Sequence, residues 1–284
     1  MRARLRSVIA DALHLLRCPH CGAGLARADA TVRCSGGHSF DLARQGYLSL
    51  LPGGGPAFAG DTAGMVDARE RFLGAGHFGP LVAALSEACE RAGAADGCIV
   101  DLGAGTGHYL AEALGRLPDR AGLALDVSKA ALRRAARAHP RVAAVGCDAW
   151  GPLPIRDGVA AAVLNVFAPR NPPEMARVLG QGGVALIVTP TARHLGELVE
   201  PLGLIGVDER KEERLGEQLA PHLELVDRRE LGWPLRLDRA SARDAAAMGP
   251  SAFHVRPEAL EERIAALPEQ LDVTAEVTLW VAAA

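Results

Sequence analysis

From Cys98 onward, short continuous apolar runs alternate with amphipathic stretches. Cys98 to Leu102, Leu123 to Asp126, Val142 to Cys147, Val159 to Phe167 and Val184 to Thr189 read as buried strands. Helical spacing between them predicts a helix opening at about Gly107, one over Lys129 to Ala138 and one from about His194. Residues 223–238 and 272–283 read as two late strands able to form an antiparallel edge. This rhythm predicts a doubly wound, Rossmann-like α/β sheet of seven strands covered by helices on both faces. Upstream, Asp61 is placed to cap a helix running to about Leu73, and Leu81, Val82, Leu85 and Cys89 recur at helical spacing. Residues 1–50 have no long period, only short irregular elements with Gly22, Gly24, Gly36 and Gly37 at turns. Pro52-Gly53-Gly54-Gly55-Pro56 is linker composition. The expected organisation is a small module over 1–50, a linker over 51–60 and a large α/β domain over 61–284.

Hydrophobic residues are 49% of the chain and charged residues 23%, as in soluble globular proteins. Aromatics are only 4%, so Ala, Val and Leu must fill the core. The formal net charge of −3 gives no global basic signature, yet the first fifty residues hold seven Arg against three Asp. That local excess is either a polyanion contact or a solvated face. Met1-Arg2-Ala3-Arg4 superficially looks like the start of a signal peptide, but Asp11 and His14 interrupt the run that follows. No uncharged apolar stretch approaches the roughly 20 residues of a membrane helix. The expectation is a soluble, cytoplasmic protein without a membrane partner.

Six cysteines fall into two sets. Cys89, Cys98 and Cys147 sit in apolar segments and read as small core residues. Cys18-x2-Cys21 followed after twelve residues by Cys34-x3-His38 is a different pattern. A Cys-x2-Cys knuckle brings two thiolates to one tetrahedral ion, and the second pair closes the site. Four protein ligands leave no open position, so the expected ion is structural Zn2+. About fifty residues build little core, and a metal supplies the missing folding energy. The competing readings are disulfides or free thiols, with His20 as an alternative nitrogen ligand.

Asp101-Leu102-Gly103-Ala104-Gly105-Thr106-Gly107 follows a strand and opens a helix. Glycines there allow a tight turn and close approach of a ligand to the backbone. The third glycine is Gly107, where a dinucleotide fingerprint would place it at 108, the position of His108. Asp101 suits an ammonium and would be unwelcome beside a pyrophosphate. Asp126, ending the second strand, is placed to accept from two ribose hydroxyls. These features favour S-adenosylmethionine over NAD. Asp148-Ala149, after the third strand, fits an adenine-reading position or a simple turn. Asn165-Val166-Phe167-Ala168-Pro169 follows the fourth strand, where open sheets bind ligands. Asn165 could meet a base edge and Phe167 could stack on a base or fill core, which makes them the candidate substrate-positioning residues.

Taken together, the ordered motifs resemble the bacterial 23S ribosomal RNA guanine-N1 methyltransferases, including the tylosin-resistance branch of actinomycetes. The resemblance runs through Cys18-Pro19-His20-Cys21, Cys34 to His38, Phe40-Asp41-x3-Gln45-Gly46-Tyr47 and Ala75-Gly76-His77-Phe78. It continues through the Asp101 to Gly107 loop, Asp126-Val127-Ser128-Lys129, Asn165 to Pro173, Thr189-Pro190 with Arg193-His194-Leu195, and Met248-Gly249-Pro250-Ser251. It implies a methyltransferase sheet, often dimeric, with a zinc module that contacts RNA. It also implies cofactor contacts at Phe78, Gly105, Thr106 and His194. The implied substrate is a guanine N1 in the loop of hairpin 35 of 23S rRNA domain II, where methylation lowers macrolide binding. Two departures stand out: many relatives carry Tyr where Phe78 stands, and Lys or Arg where Gly53 to Gly60 runs. Two other readings fit the residues less well: a small-molecule methyltransferase with a structural zinc module, and an RNA-binding protein with a vestigial cofactor pocket.

Overall fold

The computed structural model describes residues 8–29, 31–51, 60–92, 95–208 and 210–284. Most of the expected linker and the Met1 to Arg4 segment therefore lie outside the described residues. In chain order the strands are β1 (Leu25–Ala28), β2 (Thr31–Cys34), β3 (Ser39–Asp41), β4 (Tyr47–Ser49), β5 (Cys98–Leu102), β6 (Gly122–Asp126), β7 (Val142–Gly146), β8 (Ala160–Val166), β9 (Leu179–Pro190), β10 (Glu224–Asp238) and β11 (Gln270–Ala283). The helices are α1 (Ala63–Gly74), α2 (Gly79–Ala92), α3 (His108–Arg116), α4 (Lys129–Ala138), α5 (Pro172–Val178), α6 (Val199–Leu202), α7 (Lys211–Leu219), α8 (Arg239–Ala247) and α9 (Pro257–Ala266).

The main sheet has the order β10-β11-β9-β8-β5-β6-β7-β4. Strands β5 to β9 are parallel, and β10 and β11 close the far edge antiparallel, as the late apolar runs predict. The sheet has eight strands rather than the expected seven. The addition is β4, a three-residue strand parallel to β7 with Tyr47 opposite Ala144 and Ser49 opposite Gly146. A strand this short, with its partner about a hundred residues away, leaves no local periodicity to read. β1, β2 and β3 form a separate antiparallel sheet that carries Cys34 and leads into His38.

Alternation along the strands sends side chains to two cores. Ile99, Ala124 and Ala144 face α2, α3 and α4. Val100, Leu123 and Val145 face the opposite way, into a core shared with Ile9, Leu16, Val32 and Phe40 of the N-terminal module. The stretch from β7 to β8 contains no helix, and the module packs against this face of the sheet. Backbone bonds from Arg17 N to the Pro154 carbonyl (3.0 Å) and from Arg156 N to the Leu15 carbonyl (2.9 Å) fasten it there. Leu16 and Leu48 are fully buried, each stabilising the contact by roughly 1.5–3 kcal/mol.

Two local expectations change. The cap of α1 is Thr62, whose hydroxyl accepts from Met65 N at 3.3 Å, while the neighbouring Asp61 carboxylate is taken by Arg69. No helix begins at His194. Leu195 has φ +52° and its N–H donates to the Thr274 carbonyl, so this backbone bonds to β11 rather than to a turn of its own. A 3-10 turn (Gly196–Leu198) and the short α6 follow.

Candidate metal centre and cofactor cleft

The module's four predicted ligands converge. The donor atoms of Cys18, Cys21, Cys34 and His38 all lie within 4.8 Å of one another. Cys21 Sγ is 3.6 Å from Cys34 Sγ, and His38 Nδ1 is 3.6 Å from Cys18 Sγ and 3.3 Å from Cys34 Sγ. A tetrahedron with Zn–S bonds of about 2.3 Å has edges of about 3.5–3.8 Å, so the donor set fits zinc. All six cysteines are free of disulfides. Burial resists ionisation of Cys34, but hydrogen bonds from the His38 ring and backbone outweigh it and hold the thiol down to about 6. His20 lies beside the cluster, its ring stacked on Phe40 at 5.9 Å and tilted against His38 at 4.9 Å, where it braces the ligand ring. The structural metal of this centre is Zn2+.

The second site lies where β5 and β6 end. Gly103 N and Ala104 N both donate to the Leu125 carbonyl, which folds the loop over the end of β6. Gly103, Gly105 and Gly107 all have positive φ. At Gly103 a side chain would also run into the Ala168 methyl, so the loop needs glycine there for both reasons. Asp126 accepts from Gly105 N (2.8 Å) and Ser128 N (2.7 Å), one bond to each carboxylate oxygen. A carboxylate offers about four lone-pair sites, so acceptor capacity is left for a ligand's hydroxyls. Asp101 is 1% exposed and its Oδ2 is buried with no hydrogen-bond partner. Burial first, and then the Asp126 charge, push its pKa up to about 8. An orphaned buried carboxyl beside a glycine cradle fits the ammonium of S-adenosylmethionine.

Three other sequence candidates gather at the mouth. Phe78 lies edge-on to His194 at 5.7 Å, and Phe167 is 5.5 Å from His194 and 6.1 Å from Phe78. Phe167 has φ +53° and is 40% exposed. A bulky aromatic in the left-handed region is rare, and here it turns the ring outward from the end of β8. Asn165 is fully buried, and its Nδ2 donates to the Pro169 (2.7 Å) and Leu102 (3.3 Å) carbonyls. Its amide group therefore ties the end of β8 to the end of β5, with Oδ1 left unpartnered. Thr106 is buried in the loop. Asp148 accepts from Trp150 N (3.0 Å), the bond of a turn residue, with Ala149 between them.

Arg69 escapes sequence reasoning. It pairs with Asp61, donates to the Met248 carbonyl at 2.6 Å, and lies over Gly105. Nothing local marks it, because its partner at 248 belongs to another element; the Met248 to Ser251 motif was the available hint.

The family model of the RlmA N-terminal zinc ribbon matches residues 16–54. The 23S rRNA (guanine(748)-N(1))-methyltransferase of Streptomyces fradiae is 52% identical over 274 residues, covering 95% of this chain and 97% of its own. A Micromonospora griseorubida relative is 50% identical over 287 residues, again covering 95% and 97%. A Bacillus subtilis relative is 31% identical over 194 residues, covering 65% and 67%.

Proposed function

The chain belongs to the family of 23S rRNA (guanine-N1-)-methyltransferases, and on that premise we propose that its target is guanine N1 in the loop of hairpin 35. The observation that carries this reading is the near full-length identity to a relative whose name specifies guanine 748. The enzyme is an S-adenosylmethionine-dependent rRNA methyltransferase. We assign resistance to tylosin-type macrolides as its consequence, cytoplasm as its compartment and a homodimer as its assembly.

When bound, S-adenosylmethionine supplies an electrophilic methyl group. Asp101 holds the ammonium, the Gly103 to Gly107 loop and Thr106 receive the amino-acid end, and Asp126 orients the ribose. Asp148 and Ala149 border the adenine, with Phe78 and His194 closing the mouth. Phe167 receives the face of the target base, and Asn165 fixes the strand ends around it. Transfer would form the N1–methyl bond as the sulfonium S–methyl bond breaks to leave the thioether product, with the N1 proton passing to solvent, so orientation carries most of the catalysis. A loop guanine must leave its stack to reach this cleft. The zinc module over 1–50 grips the RNA, and the domain from 61 performs the transfer.

The test is incubation with labelled S-adenosylmethionine and unmodified 23S rRNA, followed by digestion and mass spectrometry. N1-methylguanosine from hairpin 35 is expected. Methyl label elsewhere in 23S rRNA keeps the family and refutes the target.

A further inference from the structure

The connection after β7 carries the one well-exposed tryptophan of the three in the chain. Trp150 is 59% exposed, against 8% for Trp233 and 6% for Trp280. An exposed indole offers a free π-face to a ligand, and this one hangs on a stiff backbone. Trp150 N donates to Asp148 Oδ1 (3.0 Å), and the Trp150 carbonyl accepts from Asn171 Nδ2 (3.0 Å). Asn171 Nδ2 also reaches the Gly151 carbonyl and caps α5 through its oxygen, so the loops after β7 and β8 are cross-linked.

Beside Asn171 in the chain is Arg170, half-buried, with no hydrogen-bond or ion-pair partner among the described residues. Its surroundings lower its pKa through burial, and no carboxylate offsets that cost. An arginine held this way is short of an anion. Pro169, on its other side, is fixed by Asn165 next to Gly103. The pair therefore lies on the loops that border the cofactor cleft. The same connection, through Pro154 and Arg156, is bonded to the zinc ribbon.

We propose that Trp150 and Arg170 form a nucleotide subsite for unpaired RNA next to the methyl-transfer cleft, Trp150 stacking on a loop base neighbouring the target and Arg170 pairing with a backbone phosphate. An exposed π-face plus a guanidinium is how proteins hold splayed single-stranded nucleotides. The inference rests on the rRNA reading above.

The test uses a synthetic hairpin-35 RNA, a fully paired duplex of the same stem, and 23S rRNA methylation by the wild-type enzyme in parallel. The hairpin quenches and shields the Trp150 emission, the duplex does not, and Trp150→Phe removes the response. Trp150→Ala raises the KM for RNA roughly tenfold, whereas Trp150→Phe, which keeps a π-face, stays within about threefold. Arg170→Ala raises the same KM and flattens its salt dependence by roughly 0.7 in log–log slope, the share of one single-strand phosphate. Affinity for S-adenosylmethionine and thermal stability stay unchanged in the Trp150 variants. If the wild type methylates the RNA while Trp150 stays equally accessible and Trp150→Ala keeps its KM, the subsite is refuted alone. If the wild type methylates no RNA, the reading beneath falls and takes the subsite with it.

Discussion

The zinc ribbon and the cofactor loop solve the same problem by opposite means. Each must hold polar atoms at fixed distances. The ribbon has three short strands and converges four donors on a single zinc site. The loop has no ion and is shaped by close packing, with Gly103 against Ala168 and Gly107 against Ala135. Order at the ribbon's donors therefore depends on an ion as well as on the core shared with the sheet, whereas order in the loop is inherited from the sheet alone. The difference teaches where each is fragile: the ribbon at any one donor, the loop at any added methyl.

The largest effect should come from separating the two. Cys34→Ser should cut rRNA methylation more than a hundredfold while S-adenosylmethionine affinity changes less than fivefold, read by calorimetry beside the methylation assay. Loss of cofactor binding in that variant would show that the cleft, too, depends on the metal. The converse variant, Gly103→Ala, should weaken cofactor binding at least thirtyfold and leave one zinc per chain by metal analysis, since the clash is confined to the Ala168 contact.

A middle-sized effect concerns Asp101. Its folded pKa of about 8 lies above the unfolded value of about 3.9. Between those values the folded chain keeps a proton that the unfolded chain has lost. Stability should therefore fall as pH rises from about 4 to 8 and level off above that. Asp101→Asn should flatten this slope in melting temperature. At pH 7, cofactor binding should release a proton as the ammonium ionises Asp101, seen as a dependence of binding enthalpy on the buffer. A proton release that persists in Asp101→Asn would assign it to another group. The smallest effect should be that of Phe78→Tyr, which adds a hydroxyl to a ring packed edge-on by Phe72 and Trp233. Cofactor affinity should move less than threefold, and a larger gain would mark a hydrogen bond that this chain has given up.

The contrast also explains what could be read from sequence. Strands β5 to β9 stand out because apolar runs between glycines are long enough to carry their own signal. The metal ligands stand out because spacing alone places two thiolates on one ion. Less visible was whatever depends on distant partners. β4 joins β7, Arg69 reaches Met248, and the His194 segment bonds to β11. The outward turn of Phe167 was hidden for a related reason: it lies beside strand ends that Asn165 ties together across the sheet, and no residue near it announces a turn of that hand.

Strand β4 carries one more consequence. It precedes the linker, so the ribbon is joined to the sheet before the chain reaches its glycine-rich stretch, and Ser49 lies beside Gly146, which itself lies beside Asp126. The ribbon and the cofactor edge are thus fixed to one another like the jaws of a caliper. On the proposed RNA grip, a stem seated on one jaw would present to the other whichever loop base sits at the set span. On that reading, a stem lengthened by a base pair should be methylated less well, its guanine carried past the gap, and selection would then rest on distance as well as on the shape of the base.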